Sequence, residues 1–172
     1  SRKKDLILLL ILIVALLIVD YPFIDDALEK ALSNRETGIV ERVIDGDTIE
    51  IGNESIRLLG INSPEKGEPY YDDAKKFLEN LILNKTIALE RGKDDKDLYE
   101  RKLRYIFFEG DHVNLMSVEE GLSNYYFPSG KDRYYNDFKE AWLECINKNK
   151  NLCEKSKEKC GSCIKIKEFG YK

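Results

Sequence analysis

Residues 43–65 read V-I-D-G-D-T-I-E-I-G-N-E-S-I-R-L-L-G-I-N-S-P-E, and the fold is decided there. Asp45-Gly46 is a tight-turn pair, because glycine accepts positive φ and Asp can bond its own backbone. Thr48-Ile49-Glu50-Ile51 alternates as a half-buried strand does. Gly52-Asn53 marks a second turn, and residues 55–59 read as the next strand. Antiparallel pairing across that hairpin carries the Asp47 end toward Asn62 and Glu65. Carboxylates, an amide oxygen and a backbone carbonyl gathered at one edge suit a hard divalent cation. An arginine beside them, Arg57, suits a phosphate.

Downstream, the sequence alternates helix and strand signals. Residues 37–44 form the first strand, ahead of the hairpin. Ala74, Phe77, Leu78, Leu81 and Ile82 repeat at helical spacing, with Asp72 and Asp73 in the first turn and Asn84 at the end. Residues 85–91 alternate as a fourth strand, residues 92–98 make a polar loop, and residues 103–108 form a fifth strand turning at Gly110-Asp111. Asn114 is expected to cap a short helix that Gly121 ends. Residues 125–128 form an aromatic loop. A last helix covers residues 133–149 with Tyr135, Phe138, Trp142, Cys145 and Ile146 facing inward. Five short strands with about three inserted helices predict an α+β fold, an OB-type Greek-key barrel.

The ordered blocks Asp45-Gly46-Asp47-Thr48, Arg57-Leu58 and Asn62-Ser63-Pro64-Glu65 resemble the staphylococcal nuclease (thermonuclease-like) family. Tyr99-Glu100-Arg101-Lys102-Leu103-Arg104-Tyr105 is similar to the block that carries the family's second arginine. Val113-Asn114 followed by Gly121-Leu122 resembles its next helix. The resemblance spans residues 37–152 and implies the same barrel and an endonuclease activity on DNA or RNA. It implies Asp47, Asn62 and the Ser63 carbonyl as ligands of Ca²⁺, or of another divalent cation such as Mg²⁺. It implies Glu65 as general base, and Arg57 and Arg101 as the groups that stabilise the pentacoordinate phosphate. Asn62 stands where the family has an aspartate, so the site keeps an oxygen donor and loses a charge. Glu100 and Lys102 replace glycines beside Arg101. Tyr99 sits where the family has a tyrosine near the bound phosphate. Tyr125 and Tyr126 are candidates for stacking on a base.

Each of these residues also has a plainer role. Asp beside Gly usually caps backbone amides, and arginines on strands or in mixed-charge loops are usually solvated. His112 is expected as an exposed loop residue.

A net charge of -4 argues against a broad basic face for nucleic acid. One or two phosphates can still be held locally. Arg2-Lys3-Lys4 precede a continuous apolar run, residues 6–19, which reads as membrane targeting. That run is shorter than the roughly 20 residues that span a bilayer. No small-residue cleavage site follows it, so an uncleaved anchor is preferred to a cleaved signal peptide, with the catalytic part outside the cytoplasm. The expected layout is an anchor or signal at 1–24, a linker at 25–36, the barrel at 37–152 and a Cys-containing tail at 153–172. Of the four cysteines, Cys145 lies on the apolar helix stripe, where a buried thiol is the plain reading, and Cys160 and Cys163 form one C-x-x-C. Disulfides are the simpler expectation for an exported chain, and zinc the other. Two other functions remain open: a non-catalytic barrel that binds nucleic acid or protein, and a membrane-tethered structural domain.

Overall fold

The computed structural model describes residues 35–154. The expected N-terminal helix, most of the linker, and Cys160 and Cys163 lie outside the described residues.

Two short strands open the domain, β1 (Glu36–Ile39) and β2 (Arg42–Val43). They stand where a single strand was expected, and the break between them closes the barrel. β1 pairs with β6 (Thr86–Lys96), while β2 pairs with β3 (Thr48–Ile51) at the opposite end of the sheet. The two residues between them bond both ways: Val40 N–H donates to the Lys85 carbonyl (3.0 Å) and Glu41 N–H to the Glu50 carbonyl (2.9 Å). With β4 (Glu54–Leu58) and β7 (Lys102–Phe108), the order along the sheet is β1-β6-β7-β4-β3-β2. Counting β1 and β2 as one bent strand, five strands return upon themselves in the order of an OB-type barrel. β4 and β7 run parallel, the other pairs antiparallel. A two-residue strand, β8 (Asp111–His112), folds back on β7 through Glu109 and Gly110, which both take positive φ.

β5 (Gly60–Asn62) leaves the main sheet after a sharp bend and pairs with β9 (Asn124–Tyr126). Gly60 has a φ of 76°, and a Cβ there would lie 3.0 Å from the Phe138 ring and 3.1 Å from that of Phe127. Only glycine fits this corner without displacing a ring. The segment containing Tyr125 and Tyr126 is therefore a strand rather than a loop. Its partner, β5, lies some 60 residues upstream, so nothing local signals the pairing.

Helix α1 (Tyr71–Ile82) follows its apolar spacing: Ala74, Leu78 and Ile82 recur every fourth residue and are buried. Burying Leu78 and Ile82 contributes about 1.5–3 kcal/mol each. α2 (Val113–Glu119) and α3 (Tyr135–Lys148) pack together at the end of the barrel. The cap of α2 is His112, not Asn114: the His112 Nδ1 accepts from the Leu115 N–H at 3.2 Å. The imidazole sits among Tyr105, Phe107, Tyr134 and Phe138 and is half-buried, not an exposed loop residue. Asn114 lies inside α2, fully buried. Its amide accepts from the Ile106 N–H (3.0 Å) and donates to the Leu59 carbonyl (2.8 Å), tying α2 to β7 and to the β4–β5 corner.

β6 runs on through residues expected to be a polar loop. Its register slips between Arg91 and Lys96, after which Lys96 pairs with Lys102. The fully buried Arg104 guanidinium explains the charged extension, since it bonds Asp95 at 2.8 Å and Glu36 at 3.4 Å and so links β6, β7 and β1. Cys145 forms a disulfide with Cys153 rather than a free thiol. This staples the end of α3 to the segment after it, whose Leu152 N–H donates to the Gly121 carbonyl.

Candidate active site

The β3–β4 register fixes the first part of the site. Thr48 lies opposite Arg57, so Asp47 meets Leu58 one step further, and the Leu58 N–H donates to the Asp47 carbonyl at 2.8 Å. The Asp45–Asp47 turn then packs against the end of β5 and the start of α1. An added Cβ on Gly46 would lie 2.6 Å from the Ala74 Cβ and 2.7 Å from the Ser63 Cβ. Glycine is needed here for close approach; positive φ is not what selects it, since Gly46 is absent from the positive-φ glycines.

That approach delivers Asp47 to Ser63. Asp47 Oδ2 accepts from the Ser63 N–H (2.8 Å) and the Ser63 hydroxyl (3.0 Å), and Oδ1 accepts from the Thr48 hydroxyl (3.1 Å). The Arg57 guanidinium closes the group. One of its terminal nitrogens lies 3.1 Å from Asp47 Oδ2 and 3.2 Å from Asn62 Oδ1, and the other donates to the Leu58 carbonyl at 2.9 Å. Both charged groups are largely buried, with side chains 13% and 10% exposed. Burial outweighs their mutual attraction at both ends: it pushes the Asp47 carboxyl above the usual carboxylate range, and holds Arg57 below the usual arginine value. Asp45 adds a second carboxylate. It accepts from the Asp47 N–H at 3.0 Å and interacts electrostatically with both Asp47 and Arg57. Sequence reading treated Asp45 only as a turn residue; its spacing of two from Asp47 was the available signal.

Glu65 lies two residues beyond Ser63, past the buried Pro64. Its backbone N–H donates to Glu68 Oε2 (2.7 Å) and its carbonyl accepts from the Glu68 N–H (2.9 Å), which fixes the turn. The Glu65 side chain is exposed, and its carboxylate makes no bond among the described residues. Parallel pairing of β4 with β7 sets Ile56 opposite Lys102, so Arg101 stands beside the Arg57 strand. The positive charge of Arg101 contributes to holding Arg57 down. Tyr99 is 79% exposed, and the Arg101 guanidinium lies 5.4 Å from its ring centre. Tyr126 interacts electrostatically with Arg57, whereas Tyr125 packs against Tyr135 and Trp142 on α3. The site thus gathers Asp45, Asp47, Arg57, Asn62 and Ser63 tightly, with Arg101 and Tyr126 in electrostatic reach of Arg57; Tyr99 lies beside Arg101, and Glu65 follows Ser63 by two residues with its side chain at the surface. Tyr125 is turned to the helix.

Among the described residues no three His, Cys, Asp or Glu side chains are placed to hold a metal ion. The oxygens present are nevertheless of the hard type: two carboxylates, one amide and backbone carbonyls. This donor set fits a hard divalent cation, bound weakly and completed by water.

Together these features define a class, an OB-type barrel with a carboxylate–guanidinium pair at the end of the β3–β4 hairpin. The sequence model of the staphylococcal nuclease homologue family matches residues 55–155. The thermonuclease of Staphylococcus intermedius is 30% identical over 89% of this chain and 99% of its own length. That of Staphylococcus hyicus is 28% identical over 87% and 98%, and endonuclease YncB of Bacillus subtilis is 32% identical over 59% and 56%. The chain belongs to the staphylococcal nuclease homologue family.

Proposed function

We propose that this protein is a metal-dependent endonuclease that cuts DNA or RNA with little sequence preference. Membership of the family makes it a hydrolase of phosphodiester bonds. The observation that carries the reading is the Asp47–Arg57–Asn62–Ser63 cluster, with the Glu65 carboxylate, unbonded among the described residues, two residues after Ser63.

Glu65 takes a proton from a water, whose oxygen attacks the phosphorus as the opposite P–O bond breaks. The leaving oxygen departs and picks up a proton from solvent. Charge grows on the equatorial oxygens, and Arg57 and Arg101 stabilise it more strongly in the transition state than in the substrate. Arg57 is held in orientation by the Leu58 carbonyl, Asp47 and Asn62. Asp47, Asn62 and the Ser63 carbonyl would hold Ca²⁺ or Mg²⁺, which when bound neutralises charge on the phosphate. In this reading Tyr99, beside Arg101, and Tyr126, in reach of Arg57, contact the flanking nucleotide. Residues 6–19 tether the domain to a membrane, with the barrel on the extracytoplasmic side. The Cys145–Cys153 disulfide supports that side, since disulfides persist in oxidising compartments.

One observation favours a second reading, a barrel that binds without cutting: both Asp47 oxygens are engaged by protein donors. A cleavage assay on the full chain with Ca²⁺, Mg²⁺ and Mn²⁺ separates the two. The endonuclease reading expects EDTA-sensitive cleavage; a folded protein that binds oligonucleotides but cuts none with any ion supports the binding module.

A further inference from the structure

Residues 97–101 form the turn between β6 and β7, and one carboxylate builds it. Asp97 Oδ1 accepts from the N–H groups of Tyr99 (2.9 Å) and Arg101 (3.0 Å). Its backbone adds two more bonds: the Asp97 N–H donates to the Arg101 carbonyl, and the Glu100 N–H donates to the Asp97 carbonyl, both at 3.1 Å. Glu100 takes a φ of 63°, the left-handed conformation the turn requires. Such a turn would be satisfied by any short acceptor at position 97, and serine would serve.

The second oxygen does something a turn does not need. Asp97 Oδ2 accepts from both Arg101 Nε and a terminal guanidinium nitrogen, each at 2.7 Å. The planar fork is gripped along one edge. The two side chains are 31% and 19% exposed, for Arg101 and Asp97, so the pair is partly shielded from water. An arginine bound along its Nε edge leaves the far terminal nitrogen, and the outer hydrogen of the near one, pointing away from its partner. Those are the donors a phosphate takes.

We propose that Asp97 is a positioning residue for the reaction: it clamps the Nε edge of Arg101 so that the remaining guanidinium donors are presented to the scissile phosphate. The inference rests on the reading of Arg101 as a phosphate-stabilising group. Glu100 and Lys102 flank Arg101 and engage Lys96 and Glu54 respectively, so neither neighbour supplies this orientation. A guanidinium without the clamp samples several rotamers, and the ordering cost then falls within the chemical step.

The test is a double-mutant cycle on the full-length protein with a short oligonucleotide substrate. Arg101→Gln is expected to lower kcat about 100- to 1000-fold, the usual loss of one transition-state donor. Asp97→Ser keeps the acceptor for the turn and cannot reach the guanidinium; it is expected to lower kcat about tenfold with KM changed less than threefold. The double variant should be no slower than Arg101→Gln alone, because the clamp has nothing left to hold. A readout free of activity runs alongside: the Arg101 Nε–H resonance is expected to exchange slowly in the wild type and to be lost in Asp97→Ser while the amide spectrum is retained. Multiplying effects in the double variant, or an Asp97→Ser enzyme at wild-type rate beside an impaired Arg101→Gln, overturns the clamp. Full activity in Arg101→Gln overturns the role of Arg101 and the clamp with it. Should Asp97→Ser lose its fold, Asp97→Asn, which keeps the shape of the side chain, takes its place in the cycle with the same expectations.

Discussion

Glu65 and Asp47, the proposed base and the proposed metal ligand, are carboxylates in opposite surroundings. Glu65 is exposed and unbonded among the described residues, and so is able to meet a water. Asp47 is buried and bonded on both oxygens. Replacing Glu65 with Gln removes a base and no packing: activity should fall by about 10²–10⁴, with thermal unfolding unchanged. Asp47 carries a different signature. Its folded-state pKa is raised, mainly by burial, with Arg57 opposing. Ionising it therefore costs folding energy: stability from this group is greatest below the ordinary carboxylate value and declines as pH rises through the window up to its raised one. In chelated buffer, the urea midpoint of the wild type relative to that of Asp47→Asn should fall as pH rises above the ordinary carboxylate range, since the lowered carboxyls of Glu50, Asp95 and Asp97 act alike in both proteins. Parallel curves for the two proteins would contradict the burial argument. The meeting of Asp47, Arg57, Asn62 and Ser63 was legible in the sequence because they lie on one hairpin and its continuation. Asp97 was not, because its grip on Arg101 depends on the conformation of a turn that composition alone reads as a charged loop.

At the scale of elements, the hairpin of β3 and β4 and the helix α1 follow directly from alternation and helical spacing. The misses share a cause, which is pairing set by tertiary contact rather than by local pattern. β9 exists because β5 leaves the sheet at Gly60; β6 extends because Arg104 needs Asp95; His112 caps α2 because β8 aims it there. Gly46 is where elements and chemistry meet. Gly46→Ala forces β5 or α1 away from the Asp45–Asp47 turn and should cost about 1–3 kcal/mol, as overpacking does, with a fall in activity larger than a surface change produces. The disulfide is a test at the same scale. Closing so short a loop should be worth about 2–3 kcal/mol, so Cys153→Ser is expected to lower the unfolding free energy by that amount and leave kcat unchanged, since the staple is on α3 and away from the arginines. Denaturant melts and steady-state rates on the variant check both halves.

For the whole chain, charge decides how substrate is held. With a net charge of -4 and 28 Lys and Arg against 32 Asp and Glu, the protein has no general attraction for a polyanion. Many of the cations near the site are already paired, Lys96 with Glu100 and Lys102 with Glu54. Two arginines on one scissile phosphate imply a salt dependence of log affinity with a slope of about −1, far shallower than that of a protein making six or more phosphate contacts. KM measured from 50 to 300 mM NaCl checks this. Among the described residues no helix is long and apolar enough to cross a membrane. The proposed tether is residues 6–19, and full-length protein should sediment with membranes and be released only by detergent.

The most direct measurement is single-turnover cleavage of an end-labelled oligonucleotide by wild type and Glu65→Gln, each with Ca²⁺ and with EDTA. The account predicts cleavage by wild type with the ion, none with EDTA, and a rate at least 100-fold lower for a fully folded Glu65→Gln. Equal rates for the two proteins, or cleavage by wild type that survives EDTA, would contradict it.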